Sequence, residues 1–417
     1  MKENWWEGLE RIRMRPGLER IRALLEALGN PQKGYPIIHV AGTNGKGSTA
    51  ALIAAALESQ GLRVGLTVSP DMGRINERVM LNRQPVSEEL WDQFGEAVEQ
   101  AGRKFPDVPT FFEAVTALAF LAFRHWRVDI AVVEVGLGGR LDATNIIDSP
   151  YLAVITPVAF DHMDRLGHSI EAIAGEKAGI IKPGSQLVLA RQPYPRAAEI
   201  IRARATQDGV PVVESTWWPE VQAHGIVGHS PAGPLFVPLL GAYQKDNVAT
   251  AFAAVEVMAS QNLIQDWPRV LQAWAHFSWP GRFQILHRQP LWIVDGAHNP
   301  HGIAGVVDTL KLEPYRHYRW TVVFSALADK PAGEMLRLLM PSAHRVILTE
   351  VPSERGGDPH PLLKVASDAE IIRDPWEAVQ RAFVVTEPDQ AILTTGSLAL
   401  LSYIMERHQS HVGNLVK

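Results

Sequence analysis

The sequence of 417 residues contains no cysteine, which excludes disulfide bonds, thiolate metal sites and a cysteine nucleophile. It also lacks an excess of positive charge, since the formal net charge is -5, and therefore has no broad basic footprint for nucleic acid. The longest apolar run, residues 111–123, contains Glu113 and is too short to span a bilayer. The first 15 residues lack the apolar core of a signal peptide. These absences predict a soluble cytoplasmic protein without nucleic-acid or membrane partners.

What the chain does contain is enough apolar material for a folded core, because 46% of its residues are hydrophobic and 20% are charged. Strand-like and helix-like segments alternate in two stretches, separated by Trp279-Pro-Gly-Arg282. This alternation predicts an α/β fold with mostly parallel sheets. We expect two domains, residues 1–280 and 285–417, with a hinge near 279–284. A stretch rich in Val, Gly and Pro between Pro211 and Pro238 predicts a small antiparallel appendage.

A glycine-rich segment, Gly42-Thr-Asn-Gly-Lys-Gly-Ser48, lies between a predicted strand and a predicted helix. This is the context of a phosphate-binding loop, whose backbone N–H groups and helix start surround an anion. Lys46 is expected to reach the outer phosphates. The general motif has Ser or Thr directly after the lysine, whereas here Gly47 occupies that position and Ser48 follows. The role of Ser48 as a magnesium ligand is therefore left open.

Three further polar residues stand in or after apolar segments. Glu134 ends the strand Ile-Ala-Val-Val-Glu, where an unpaired carboxylate is costly, so it should bind magnesium or be satisfied by Arg140 or by backbone. His162 follows another predicted strand; taken alone it is a structural histidine, a general base or an unusual magnesium ligand. Lys177, in a helical segment, is by itself expected to be solvated, and Lys182 is expected at the surface.

Six segments of the chain carry further motifs: residues 42–49; Ser69-Pro70 with Asn76-Glu-Arg78; Thr110-Phe-Phe-Glu113; residues 134–145; Asp161-His162 with residues 175–182; and Trp279-Pro-Gly-Arg282 with Asp295-Gly-Ala-His-Asn299. In their order and spacing these segments resemble the folylpolyglutamate synthase and dihydrofolate synthase group of the Mur ligase superfamily. The resemblance spans roughly residues 18–400. Muramyl ligases carry a nucleotide-sugar-binding domain before the loop, whereas here the loop begins at Gly42, as in folate-type ligases.

The resemblance implies an N-terminal ATP-binding domain of the Mur ligase central type and a smaller, Rossmann-like C-terminal α/β domain. It implies an ATP-dependent ligase that adds L-glutamate to folates, and to dihydropteroate as well, through an acyl phosphate with release of ADP and phosphate. Because phosphoryl transfer depends on positioning and charge neutralisation, metal ions and cations should dominate such a site. Two alternatives remain: a Mur-type ligase for another acid, and a nucleotide-operated binding switch.

The resemblance also assigns roles to individual residues. The catalytic residues are Lys46, Glu134, His162 and Lys177, and the ligands of two Mg²⁺ ions are Ser69, Glu134, His162 and a carbamylated Lys177. The ATP-binding residues are Gly42, Thr43, Asn44, Gly45, Lys46, Gly47, Ser48, Thr49, Asn247, Arg282, Asp295 and His298. The folate-binding residues are Pro70, Arg78, Thr110, Phe111, Phe112, Glu113, Asp142 and Asn145. Asp329 and Lys330 are placed near the incoming glutamate.

Several details accompany these assignments. Thr110 is expected as the N-cap of a helix, and the adjacent pair Phe111 and Phe112 either stacks on a pterin ring or belongs to the core. Tyr243 stands where the family usually has a histidine. A monovalent cation is a further candidate cofactor, and monomers are usual in the family.

Overall fold

The computed structural model describes residues 5–10, 15–351, 353 and 355–411. The ends of the two predicted domains, residues 1–4 and 412–417, lie outside the described residues. Two large sheets organise the chain, and the strands of one all precede those of the other in sequence. We call the part before residue 279 the first lobe and the part after residue 284 the second lobe. The boundary between the predicted domains stays a prediction.

The secondary structure alternates between strands and helices in both lobes. The strands are β1 (Ile37–Ala41), β2 (Val64–Thr67), β3 (Val79–Leu81), β4 (Gln84–Pro85), β5 (Ile130–Glu134), β6 (Leu152–Ile155), β7 (Leu187–Leu189), β8 (Val212–Glu214), β9 (Glu220–Gln222), β10 (Gly225–Ser230), β11 (Gly233–Val237), β12 (Gln284–Arg288), β13 (Leu291–Val294), β14 (Trp320–Phe324), β15 (Ala343–Leu348), β16 (Glu370–Ile371) and β17 (Ala391–Thr395). The helices are α1 (Trp5–Glu10), α2 (Glu19–Ala27), α3 (Lys46–Ser59), α4 (Glu88–Gly102), α5 (Phe111–Trp126), α6 (Met163–Leu166), α7 (Ile170–Ala178), α8 (Pro195–Gln207), α9 (Gln244–Ser260), α10 (Trp267–Ala275), α11 (Pro300–Leu310), α12 (Ala332–Leu339), α13 (Pro375–Val385) and α14 (Leu398–His411).

The eight-stranded sheet of the first lobe has the order β4-β3-β2-β5-β1-β6-β7-β8. The strands β2, β5, β1, β6, β7 and β8 pair in parallel, and only β3 and β4, at one edge, pair antiparallel. In register, Val40 of β1 lies opposite Glu134 of β5 and Val154 of β6. The segments that follow these three strands therefore meet at one edge of the sheet, which is where α/β folds bind ligands.

The two faces of this sheet are covered by different helices. One face packs against α3, α9 and α10, and the other against α2, α4 and α5. Helix α3 is buried on all sides, with residues 50–57 at most 1% exposed, which explains why its sequence is uniformly apolar and not amphipathic. This central helix carries the phosphate-binding loop at its N-terminus.

The second lobe contains the six-stranded sheet β12-β13-β17-β14-β15-β16. It is parallel except for the edge strand β12. The predicted α/β class with mostly parallel sheets is confirmed. No helix among the described residues is long and apolar enough to cross a membrane.

The predicted antiparallel appendage corresponds to the three-stranded sheet β11-β10-β9. Its predicted start was too early, because β8, within the predicted stretch, pairs in parallel with β7 of the large sheet. Helices α1, α6, α8, α10 and α14 were not predicted from the sequence. In α10 the strongly one-sided apolar pattern is present in a segment of only nine residues.

Candidate active site

The segment between β1 and α3 has the backbone shape of a phosphate-binding loop. Gly42 and Gly45 adopt φ of +145° and +87°, and a Cβ atom at either position would lie about 2 Å from a side-chain oxygen of Thr156 or Asn247. Glycine is therefore required at both positions by backbone conformation and by space. The loop is tied to the segment after β6, since Thr43 donates from its hydroxyl to Ala159 O at 3.0 Å.

Glu134 lies at the end of β5 with 5% of its surface exposed. Its carboxylate accepts a hydrogen bond from the Ser69 N–H at 3.2 Å and lies 3.9 Å from Lys46 Nζ. Burial raises the pKa of Glu134, and the charge of Lys46 opposes the rise. The alternative partner, Arg140, pairs instead with Glu176. A buried carboxylate with one backbone donor retains free lone pairs for a cation.

Lys177 is buried, with 3% of its surface exposed, so the expectation of a solvated lysine is wrong. Its Nζ donates to Gly42 O of the loop at 2.8 Å. Burial and the charge of Lys46 lower the pKa of Lys177 to about 7. Lys182 keeps part of its surface exposed, and its Nζ donates to Ile147 O at 3.1 Å.

Asp161 and His162 follow β6 and face the second lobe. Asp161 forms an ion pair with Lys330, and its Oδ2 lies 3.5 Å from His298 Nε2. Burial raises the pKa of Asp161. The hydrogen bond from His298 and the neighbouring positive charges outweigh this effect and hold the pKa of Asp161 well below its usual range. Burial lowers the pKa of His162 to about 4. The imidazole of His162 is therefore neutral, as a metal ligand must be.

Asp295 follows β13 and is 2% exposed. Its carboxylate accepts hydrogen bonds from the Tyr243 hydroxyl, from Phe283 N at 2.8 Å and from Ala297 N at 2.8 Å. Tyr243 precedes α9 of the first lobe, so this contact joins the two lobes. Burial raises the pKa of Asp295, whereas the Tyr243 hydrogen bond lowers it. The Tyr243 hydroxyl thus donates to Asp295, the residue that was predicted to bind ribose.

These groups line one cavity of about 690 Å³. Of the predicted ATP-binding set, the cavity is lined by Gly42, Thr43, Asn44, Gly45, Lys46, Gly47, Ser48, Asn247, Arg282, Asp295 and His298. The predicted metal ligands Ser69, Glu134, His162 and Lys177 line it too, as does Pro70. Thr49 is fully buried in α3 behind the loop. The structure brings nearly all of the predicted nucleotide and metal residues to one place.

The side chains predicted to bind metal suit magnesium ions that arrive with a nucleotide better than a metal site formed by protein ligands alone. Among the described residues, no group of three His, Asp or Glu side chains could hold a metal ion. The predicted ligands are one carboxylate, one imidazole, one hydroxyl and one modified lysine. Magnesium commonly keeps waters and substrate phosphates as ligands and takes only one or two carboxylates from the protein. The residues present are therefore compatible with ions that arrive with ATP.

A second cavity of about 830 Å³ adjoins the first, and both are lined by Leu137 and Leu166. Of the predicted folate residues it is lined by Arg78, Thr110, Phe111, Phe112, Glu113 and Asp142. The predicted N-cap is confirmed, because the Glu113 N–H donates to the Thr110 hydroxyl and the Thr110 N–H donates to the Glu113 carboxylate. Both phenylalanines are half-buried: they pack against the core and also face the cavity.

Like Thr110 and Glu113, the predicted folate residues Asp142 and Asn145 use their polar groups inside the protein. Asp142 accepts from Leu137 N, Thr144 N and the Thr144 hydroxyl. Asn145 donates to Arg140 O and Gly179 O and lines neither cavity. Their contacts hold the loop between the two cavities in shape.

The predicted glutamate residues point in different directions. Asp329 pairs with Arg355, whereas Lys330 pairs with Asp161. Neither lines either of the two cavities described here. The contact of Lys330 with Asp161 was not expected from the sequence, and neither were the contacts of Asn299 and His301 with the Asn44 side chain of the loop. The only local signal was Asn299 directly before Pro300, a typical helix start.

The fold and this cavity define an ATP-dependent ligase of the Mur type. Residues 40–255 match the Mur ligase middle domain, and residues 281–398 match the Mur ligase glutamate ligase domain. The chain belongs to the folylpolyglutamate synthase/dihydrofolate synthase family of these ligases: it is 38% identical to folylpolyglutamate synthase of Lacticaseibacillus casei, with 93% of each chain covered.

Two of the similar solved structures illustrate the match over nearly the whole chain. One is E. coli FolC in complex with DHPP and ADP, with a TM-score of 0.88, 30% identity and 98% of each chain covered. The other is a bifunctional folylpolyglutamate synthase/dihydrofolate synthase with Mn, AMPPNP and L-glutamate bound, with a TM-score of 0.85, 30% identity and 97% of each chain covered. Nucleotide, divalent metal and glutamate are therefore ligands of proteins with this fold.

Proposed function

We propose that this protein uses ATP to join L-glutamate to the carboxylate of a folate, and also to that of dihydropteroate. The observation that carries the proposal is the junction of two cavities at Leu137 and Leu166. One cavity holds the phosphate-binding loop with Lys46 and Glu134, and the other is lined by an aromatic pair suited to a flat ring. A folate placed across the junction brings its carboxylate to the γ-phosphate.

In the proposed reaction, the loop amides and Lys46 hold and neutralise the triphosphate while the folate carboxylate attacks the γ-phosphorus. ADP leaves and an acyl phosphate remains. The amine of glutamate then attacks the acyl carbon, the new C–N bond forms, and phosphate departs. Ser69, Glu134, His162 and carbamylated Lys177 would hold two magnesium ions, which supply charge neutralisation for the transferred phosphoryl group.

Carbamylation of Lys177 is supported by its burial beside Gly42 O, since a neutral amine is needed to react with carbon dioxide. Arg282, from the segment between the lobes, and His298, from the second lobe, are proposed to reach the nucleotide, and Asp295 to bind its ribose. Domain closure about residues 279–284 would exclude water. The proposal further includes a monomer in the cytoplasm, a monovalent cation as an additional cofactor, and glutamate bound near Asp329 and Lys330.

The deciding experiment offers dihydropteroate and tetrahydrofolate in parallel, each with ATP, Mg²⁺ and L-glutamate, and identifies products by mass. A product heavier by one glutamyl unit, with one phosphate released per amide, is the expected result. Phosphate release that is indifferent to both folate and glutamate would favour the switch alternative. Amide formation only with another acid would favour a different Mur-type ligase.

A further inference from the structure

A set of buried and half-buried side chains joins the phosphate-binding loop to the second lobe at the cavity wall. We call Asn44, Asp161, Asn299 and Lys330 the interlobe clasp. Asn44 belongs to the loop and Asp161 to the segment after β6, whereas Asn299 and Lys330 belong to the second lobe. Asn299 is fully buried, and the side chains of Asp161 and Lys330 are 7% and 5% exposed.

The centre of the clasp is a reciprocal amide pair between residues 255 positions apart. Asn44 Nδ2 donates to Asn299 Oδ1 at 3.1 Å, and Asn299 Nδ2 donates to Asn44 Oδ1 at 3.0 Å. Asn299 Nδ2 also donates to Asp161 Oδ2 at 3.0 Å. Lys330 donates to the other carboxylate oxygen of Asp161.

The orientation of the Asn299 amide follows from its neighbours. The Gly302 N–H can only donate, and it donates to Asn299 Oδ1 at 2.8 Å. The Asp161 carboxylate can only accept, so the Nδ2 group must face it. The buried amide of Asn299 therefore caps α11, forms the reciprocal pair with Asn44 and donates to the Asp161 carboxylate. If this amide were flipped, its bonds with Gly302 N and Asp161 would be lost.

We propose that Asn299 is a positioning residue that couples the shape of the phosphate-binding loop to closure of the second lobe. The inference rests on the proposed function, because it concerns the lifetime of the acyl phosphate. While the clasp is formed, the lobes stay together at the loop and water is kept from the acyl carbon. When it opens, water takes the place of glutamate: the bond from the acyl carbon to the phosphate oxygen breaks, phosphate leaves, and the carboxylate is restored without an amide.

The test compares two single substitutions with their combination. Asn299→Asp keeps the shape but loses both Nδ2 donors and sets a carboxylate against Asp161. In Asp161→Asn, one of the two oxygens that accept from Asn299 and from Lys330 is replaced by an amide donor, so one of these two hydrogen bonds must be lost. The double variant restores a donor and an acceptor between positions 161 and 299 at unchanged total charge, but Asn44 Oδ1 still lacks the donor it had in Asn299 and Lys330 still lacks the charge of Asp161. It should therefore recover part of what each single variant loses.

The measured quantity is the ratio of phosphate released to amide formed. We expect this ratio to rise at least fivefold in each single variant and to be lower in the double variant than in either single variant. Asn299→Ser removes the amide and keeps a residue that caps helices well. This variant should therefore fold normally and still show a raised ratio of phosphate to amide.

Asn262→Asp, at an exposed turn outside both cavities, is the matched control and should leave the ratio unchanged. A ratio within twofold of the unaltered value in Asn299→Asp and Asn299→Ser, or a double variant no better than its worse parent, would overturn the proposal.

A second measurement does not depend on amide formation. Because the chain has no cysteine, Gln207→Cys and Val384→Cys place one spin label on each lobe at exposed positions. With AMPPNP bound, the Asn299 variants should show an added population at longer distance. Identical distance distributions in all proteins would contradict the clasp. If the unaltered protein forms no amide at all, the proposed function fails, and this distance measurement still decides on the clasp.

Discussion

Replacement of Gly47 by alanine should lower the rate of amide formation without lowering the free energy of unfolding, and the geometry of the phosphate-binding loop explains why. Gly47 is the second residue of α3, and its φ is not positive, so its backbone does not demand glycine. A Cβ atom there would lie 3.3 Å from Glu134 Oε2 and 3.7 Å from Trp279 Nε1. The need for glycine at this position is therefore one of space, set by the carboxylate proposed to bind magnesium.

Two effects of opposite sign follow for Gly47→Ala. The substitution should leave the free energy of unfolding unchanged or raise it by up to about 1 kcal/mol, because alanine favours helix over glycine. The Glu134 carboxylate must move by a few tenths of an ångström, and since a misplacement of about 1 Å can cost on the order of 100-fold in rate, we expect a loss of about tenfold in kcat. Gly47→Ser, which restores the general motif, should lose more, because its side chain is larger.

The assay is the rate of amide formation at saturating ATP and Mg²⁺, with thermal unfolding measured on the same samples. Gly333→Ala is the matched control: Gly333 is the second residue of α12, its Cβ would have no neighbour nearer than 3.8 Å, and it lines neither cavity. It should gain similar stability and keep full activity. If Gly47→Ala keeps more than half of the activity, or if Gly47→Ser is more active than Gly47→Ala, the steric reasoning is refuted.

Other substitutions test the remaining parts of the site. Lys46→Ala should abolish ATP turnover with little change in thermal unfolding; retained turnover would remove the phosphate-loop role. Lys177→Ala should lose activity and regain part of it with added short carboxylates, while Lys182→Ala, the control lysine, should remain active; full activity of Lys177→Ala without rescue would contradict carbamylation. Tyr243→Phe removes a hydrogen bond to the Asp295 carboxylate, an interaction of about 1.5–3 kcal/mol. The KM for ATP should therefore rise about tenfold or more, and the preference for ATP over 2′-deoxyATP should fall. An unchanged preference would show that Tyr243 has no part in ribose binding.

Local sequence was sufficient where a residue's role depends on its immediate neighbours. The phosphate-binding loop could be predicted because strand, glycines and helix are contiguous in the chain. Glu134 could be placed at the sheet edge because it ends an apolar strand, and Thr110 could be predicted as a cap because its partner, Glu113, lies three residues away.

Sequence failed where the partner is distant or where burial is set by tertiary packing. Nothing near Asn299 reveals that its amide meets Asn44, since the two come together only when the lobes pack. Lys177 and Lys182 have similar local surroundings, yet one is almost fully buried against the loop and the other is half-exposed. The hydrogen bonds that Asp142 accepts from Leu137 and Thr144 likewise depend on the fold of its loop, which a motif match does not specify.

The amide pair across the lobes also limits how such a protein can change over evolutionary time. A substitution of Asn44 removes the partner of Asn299 and vice versa, so neither position is free to drift while the other is kept. Two distant regions of the gene are thereby obliged to change together. Chimaeras that combine one lobe of this chain with the other lobe of a relative should work only when the donor carries a complementary residue at the matching position.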